Sequence, residues 1–94
     1  MSEDKMRKHV YISGRVQGVG FRASTRRKAQ HHQVKGWVRN LFDGRVEAVF
    51  TGKKESVEKI IDYVKKGPRF ARVEDVEIHD EDYQGQFKNF TIKR

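Results

Sequence analysis

Val10 and Ile12 alternate with more polar neighbours and Val16 keeps the same parity, a two-residue period that predicts a strand from about Arg7 to Gly14 with one buried face. Gly14, Gly18 and Gly20 then fall within seven residues. From Phe21 to His32 there is neither Gly nor Pro, which predicts a helix with a thin apolar stripe at Phe21, Thr25 and Ala29. Val34, Trp37, Val38, Leu41 and Phe42 lead into Asp43-Gly44, after which Val46, Ala48 and Phe50 alternate, a hairpin pattern with a strong turn signal. Val57, Ile60, Ile61 and Val64 recur at helical spacing, and Gly67-Pro68 ends that second helix. Val73, Val76 and Ile78 predict a further strand, and Phe87, Phe90 and Ile92 a short last one.

Strand, helix, strand, strand, helix, strand is the split βαβ order. It predicts an α+β, ferredoxin-like (βαββαβ) sandwich: an antiparallel sheet with two helices on one face, plus a short C-terminal strand. Ninety-four residues without a repeat, linker or low-complexity tract make one domain over 1–94, with about residues 1–6, which are polar and charged, expected to be flexible. A fold of this kind hosts many functions, so the chemistry has to come from particular residues.

Composition narrows the chemistry mainly by exclusion. There is no cysteine, which removes disulfide frameworks, thiolate metal sites and thiol nucleophiles together, and points to the cytoplasm. No apolar run approaches the length of a membrane span or signal core, so no membrane partner is expected. The formal charge of +8 is uneven: residues 1–47 carry eleven Lys/Arg against four Asp/Glu, a net of +7, whereas residues 48–94 carry ten against nine. An anionic partner should therefore meet the first half of the chain.

That half contains Gly14-Arg-Val-Gln-Gly-Val-Gly-Phe-Arg22, between a predicted strand and a predicted helix. A lysine-type phosphate loop needs Gly-Lys-Ser/Thr at its end, and here the end is Gly20-Phe21-Arg22. Gly18, Gly20 and Ala23 match a dinucleotide fingerprint in form, but the tight hairpin that follows and the short chain leave no room for a doubly wound sheet. What survives is an anion nest: glycines that turn backbone N–H groups inward, at the positive end of a helix. Arg22 in the first helical turn opposes the helix dipole unless an anion lies between them. Spacing alone is equally compatible with a plain tight turn.

These residues resemble the acylphosphatase family. One motif is G-x-V-Q-G-V-x-F-R, present as Gly14, Val16, Gln17, Gly18, Val19, Phe21 and Arg22; a second, G-x-V-x-N, is present as Gly36, Val38 and Asn40. With Gly67-Pro68 and the Phe90-x-Ile92 ending, the resemblance spans nearly the whole chain. It implies hydrolysis of acyl phosphates to carboxylate and inorganic phosphate, with phosphate held by Val16, Gln17, Gly18, Val19, Gly20, Phe21 and Arg22 and the attacking water positioned by Asn40. Arg22 and Asn40 would then be the catalytic residues. It also implies no metal or other cofactor, inhibition by inorganic phosphate, and a monomer. The chemistry agrees: the leaving carboxylate has a conjugate acid of pKa about 4, so no general acid is needed to expel it near neutral pH. Three positions depart from the family pattern: His32-Gln33 where leucine-glycine is common, Phe42 in place of a frequent hairpin proline, and Arg94 in place of a common tyrosine. They touch neither motif, and so bear on capping and packing more than on activity.

The rival reading is a non-catalytic anion- or nucleic-acid-binding domain, since many basic ferredoxin-like domains bind RNA. Those present aromatic residues on the third strand, where this chain offers Val46 and Ala48, with Glu47 set to repel phosphate. Trp37 and Phe50 are expected in the core or on a sheet face, and the acids from Glu74 to Asp82 on a solvated strand. His31 and His32 point about 100° apart on a helix, a poor arrangement for sharing one metal ion.

Overall fold

The computed structural model describes residues 4–94. β1 (Lys5–Arg15), α1 (Phe21–His31), β2 (Lys35–Asn40), β3 (Val46–Lys53), α2 (Lys54–Lys66), β4 (Arg72–Glu81) and β5 (Phe90–Ile92) follow the expected order. They build one sheet, ordered β4-β1-β3-β2-β5. The pairs β1·β3, β1·β4 and β2·β3 are antiparallel. β5 runs parallel to β2 through Gly36↔Phe90, Trp37↔Thr91 and Val38↔Ile92, so the sheet is mixed rather than wholly antiparallel. A three-residue strand carries too little pattern to disclose its direction in advance.

β1 pairs on both sides, and its pairing begins earlier than the apolar alternation does, with Lys5↔Lys53 and Met6↔Gly52. Lys5 and Met6, within the segment 1–6 expected to be flexible, are paired in β1; residues 1–3 lie outside the described residues. The strand also extends past its expected end. Gly14 and Arg15 still pair with Val73 and Arg72, after a register shift at Ser13/Gly14, so the loop starts at Val16.

One face of the sheet meets both helices. Val10 and Ile12 of β1, Val38 of β2, Val46, Ala48 and Phe50 of β3 and Phe90 of β5 are buried there, against Phe21, Thr25 and Ala29 of α1 and Val57, Ile60, Ile61 and Val64 of α2. Phe50 and Phe90 stack at 5.7 Å between ring centroids, which ties the short last strand to the core. Gly36, the first glycine of the second motif, is needed where β2 approaches β3: at φ +136° its added Cβ would lie 1.9 Å from the Val49 carbonyl oxygen. Gly14 serves β4 in the same way, 2.2 Å from the Arg72 carbonyl oxygen, which makes it a packing residue rather than part of the loop.

Candidate active site

The end of the sheet where β1 and β2 finish and β3 begins holds the residues singled out by the sequence. Val16 and Phe21 are buried in the core and anchor the two ends of the loop, and Val19 packs against that core. Between these anchors Gly18 and Gly20 adopt left-handed backbone at φ +74° and +76°, and open space lies where a Cβ of either would stand. Gly20 is the N-cap of α1 and supplies no side chain, and the first turn contains no acid. The first amide to find a helical acceptor is that of Ser24, which donates to Gly20 at 3.0 Å. Among the described residues, none of the N–H groups from Gln17 to Ala23 donates to a backbone carbonyl. Seven donors thus collect at the positive end of a helix. Arg22 stands half-buried on that same first turn and has no ion-pair partner among the described residues.

Asn40 ends β2, opposite Val46 of β3. Its side-chain oxygen Oδ1 is buried and accepts no hydrogen bond among the described residues. An acceptor left this way costs about 1–3 kcal/mol relative to a satisfied one, so its position asks for a donor from a ligand or solvent. The turn after it is wider than the two residues Asp43-Gly44. Leu41 N–H donates to the Arg45 carbonyl at 2.8 Å, Gly44 N–H donates back to Leu41 at 3.2 Å, and the Asp43 carboxylate accepts from the Arg45 amide at 3.1 Å and from Arg45 Nε at 2.8 Å. Those bonds, that of the Arg45 amide foremost, hold the Asp43 carboxyl below its ordinary pKa.

Loop and hairpin are fastened by one side chain. Gln17 Nε2 donates to the carbonyl oxygens of Leu41 at 2.7 Å and Arg45 at 3.0 Å. Gln17, Arg39, Asn40, Leu41, Phe42 and Arg94 line a groove of about 620 Å³. Arg22 lies outside that lining.

Behind Asn40, on the face of the sheet away from the helices, Glu47 is only 5% exposed. It accepts from Arg39 Nε at 2.6 Å and faces His9 Nε2 at 2.6 Å, while His9 Nδ1 faces Glu81 at 2.8 Å and Arg7 Nε donates to Glu81 at 2.7 Å. Both ring nitrogens of His9 can donate at once only when the imidazole carries two protons. Burial alone would raise the Glu47 pKa, but the bonds from His9 and Arg39 outweigh it and hold the carboxyl below its ordinary value. The acids of β4 are thus not merely a solvated strand, since Glu81 and Asp80 pair with Arg7, His9 and Lys8 of β1. Trp37 shares this face, under the cations of Arg39 and Lys93, whereas Phe50 is wholly in the core.

The acylphosphatase family model matches residues 8–92. An acylphosphatase of Chloroflexus aurantiacus is 58% identical over 89 residues, which cover 95% of this chain and 97% of that protein. The chain belongs to the acylphosphatase family. Its fold superposes on the crystal structure of acylphosphatase from Bacillus subtilis with a TM-score of 0.91 at 31% identity, covering 95% of this chain and 99% of that one. An acylphosphatase from Coxiella burnetii gives 0.85 at 38% identity, covering 96% and 94%.

Against that family, the three departures can now be located. Gln33 takes the left-handed position after α1 at φ +59°, the one non-glycine with positive φ among the described residues. Phe42 and Arg94 do not bear on packing, as the sequence suggests: both line the groove beside Asn40. Sequence reasoning also missed the use of the Gln17 side chain, whose signal was its place inside the more specific motif, and the Glu47 network, for which no local signal exists.

Proposed function

We propose that this acylphosphatase-family chain hydrolyses the carboxyl–phosphate bond of acyl phosphates, releasing a carboxylate and inorganic phosphate without a metal ion. The observation that carries the reading is the orphaned Asn40 Oδ1, tied through Gln17 to a loop of unpaired amides. The amides of Val16 to Phe21 and the guanidinium of Arg22 hold the phosphate, and their charge is offset by the phosphate oxygens as the transition state spreads charge over them. The side chains of Val16 and Phe21 are committed to the core, so only their backbone serves this purpose.

Asn40 is no base at neutral pH. Its Oδ1 accepts from a water and aims that water in line with the scissile P–O bond, and its amide nitrogen donates to the substrate. The water oxygen bonds to phosphorus as the P–O bond to the acyl group breaks, and the carboxylate leaves with the bonding pair. A phosphate oxygen takes the water's proton. A carboxylate shown to be indispensable for turnover would contradict that last assignment.

A nucleic-acid platform is the weaker reading. Val46 and Ala48 are buried, and the open face of the sheet carries Glu47, Glu77 and Glu81.

Purified protein in excess chelator should hydrolyse acetyl or benzoyl phosphate, with inorganic phosphate as a competitive inhibitor. Arg22→Gln should lose both phosphate affinity and turnover. Asn40→Ala should keep phosphate affinity and lose turnover by roughly a hundredfold or more. Near-normal rates in either variant would overturn the assignment of roles.

A further inference from the structure

At the end of the sheet away from Asn40 a second cavity, of about 500 Å³, opens between the first residues of β1 and β2, the last of β3 and the connection from β4 to β5. β2 starts at this cavity with Lys35 and ends at Asn40, so the length of that strand, about 16 Å, separates the two sites. Lys5, Lys35 and Lys53 line the cavity, and among the described residues no acid does. The register sets Lys5 opposite Lys53 and Lys35 opposite Thr51, which brings lysines of three adjacent strands to one face. Lys5 and Lys35 are exposed and have no ion-pair partner among the described residues.

Two rings come from the connection that closes the other side. Tyr83 is 42% exposed, and Phe87 is half-buried with the Arg7 guanidinium 5.2 Å from its centroid. The side-chain amides of Gln33 and Asn89 complete the lining and have no hydrogen-bond partner among the described residues.

We propose that this cavity binds a mononucleotide, with its phosphate on Lys5 and Lys35 and its base against Tyr83 and Phe87. Lysine meets a phosphate as a compact point charge, without the planar fork by which arginine takes a carboxylate. A base is a flat ring that stacks on aromatic side chains. Carboxamides donate and accept at once, as the edge of a base does. The volume suits a ligand of that size. A bare phosphate would leave both rings unused, and an apolar ligand would leave both lysines without an anion.

The test follows the amide chemical shifts of the isotope-labelled full chain during titration, at fixed ionic strength, with adenosine monophosphate, ribose phosphate, adenosine and isophthalate. Adenosine monophosphate should shift the amides of residues 30–35, 51–56 and 83–90 saturably. Ribose phosphate, which lacks the ring, and adenosine, which lacks the charge, should each bind at least about tenfold more weakly. The double variant Lys5→Gln with Lys35→Gln should weaken the nucleotide about tenfold, and so should Tyr83→Ala. Unchanged shifts elsewhere in each variant's spectrum show that its fold is intact. Nucleotide shifts confined to residues 16–23 would overturn the proposal, because the phosphate loop would then be the whole of the binding. Equal affinity for ribose phosphate, tighter binding of isophthalate, or wild-type affinity in both variants would overturn it as well.

Discussion

Gln17 donates its side-chain amide to the carbonyl oxygen of Leu41 at 2.7 Å, one residue past Asn40, and so joins the glycine-rich loop before α1 to the strand end that carries the orphaned acceptor. The same nitrogen reaches the Arg45 carbonyl at 3.0 Å, so one group spans both sides of the hairpin turn. Its role is positioning, because its donors are already committed to carbonyls. Gln17→Ala should lower kcat/KM by about tenfold to a hundredfold, since a displacement near 1 Å between phosphate and water has that effect. Stability should fall by about 1–2 kcal/mol from the lost hydrogen bonds. Gln17→Glu should be worse than Ala, because a carboxylate would then face two carbonyl oxygens. Steady-state kinetics with the phosphate inhibition constant checks this: kcat should fall more than phosphate affinity if alignment is what is lost.

Helix α1 ends in a Schellman arrangement, with Gln33 N–H donating to the Gln30 carbonyl at 3.2 Å and Val34 N–H donating to Ala29 at 2.8 Å. The left-handed residue in that motif is usually Gly, and here it is Gln33 at φ +59°. A side chain in this conformation costs roughly 1–2 kcal/mol, part of which glycine returns through its freer unfolded state. Gln33→Gly should therefore stabilise the fold by about 0.5–1 kcal/mol and raise Tm by roughly 2–8 °C. Thermal unfolding followed by circular dichroism is the measurement, and a fall in Tm would refute the account.

Periodicity was enough to read the two helices and the first three strands, because each buries a face against a single core and so repeats at 2 or 3.6 residues, whereas β4, none of whose residues is buried, shows only in Val73, Val76 and Ile78. Val57, Ile60, Ile61 and Val64 state their helix openly for this reason. What escaped are relations between distant residues. Gly14 belongs by sequence to a glycine loop, yet its φ of +121° serves an approach to Arg72, which no local pattern encodes. The parallel pairing of β5 depends on Phe90 reaching Phe50. At the candidate site, Arg22 and Asn40 stood out by motif, whereas Phe42 and Arg94 line one groove with Asn40 only once the chain has folded.

Thr25 lies on the apolar stripe of α1 between Phe21 and Ala29, fully buried, and its Oγ1 finds no hydrogen-bond partner among the described residues. A buried hydroxyl in that state is a net loss, whereas a methyl of the same shape would add contacts. Thr25→Val keeps the β-branch and its rotamer preference, so the packing of α1 should persist. Chemical denaturation should show a gain of about 1 kcal/mol at unchanged m-value. An equal or lower midpoint would mean that the hydroxyl has a function in the folded chain.

Acid should expose the role of the sheet face. Glu47 and Glu81 both have carboxyl pKa values below the ordinary range. For Glu47 the bonds from His9 and Arg39 overcome the effect of burial, and for Glu81 the bond from His9 is the largest cause, followed by that from Arg7. The folded state therefore binds these protons less readily than the unfolded state does. Their contribution is present in full above the unfolded pKa, about 4.3, and is lost as pH falls through the lower folded values. The share of stability owed to Glu47 and Glu81 should thus be lost below about pH 4, where urea midpoints should decline steeply. Glu47→Gln should cost about 1.5–3 kcal/mol at neutral pH, since it removes a charged acceptor shared by two donors. It should also flatten the acid limb, because one of the protons linked to unfolding is gone. Parallel wild-type and variant curves down to pH 3 would show that Glu47 is not the group responsible.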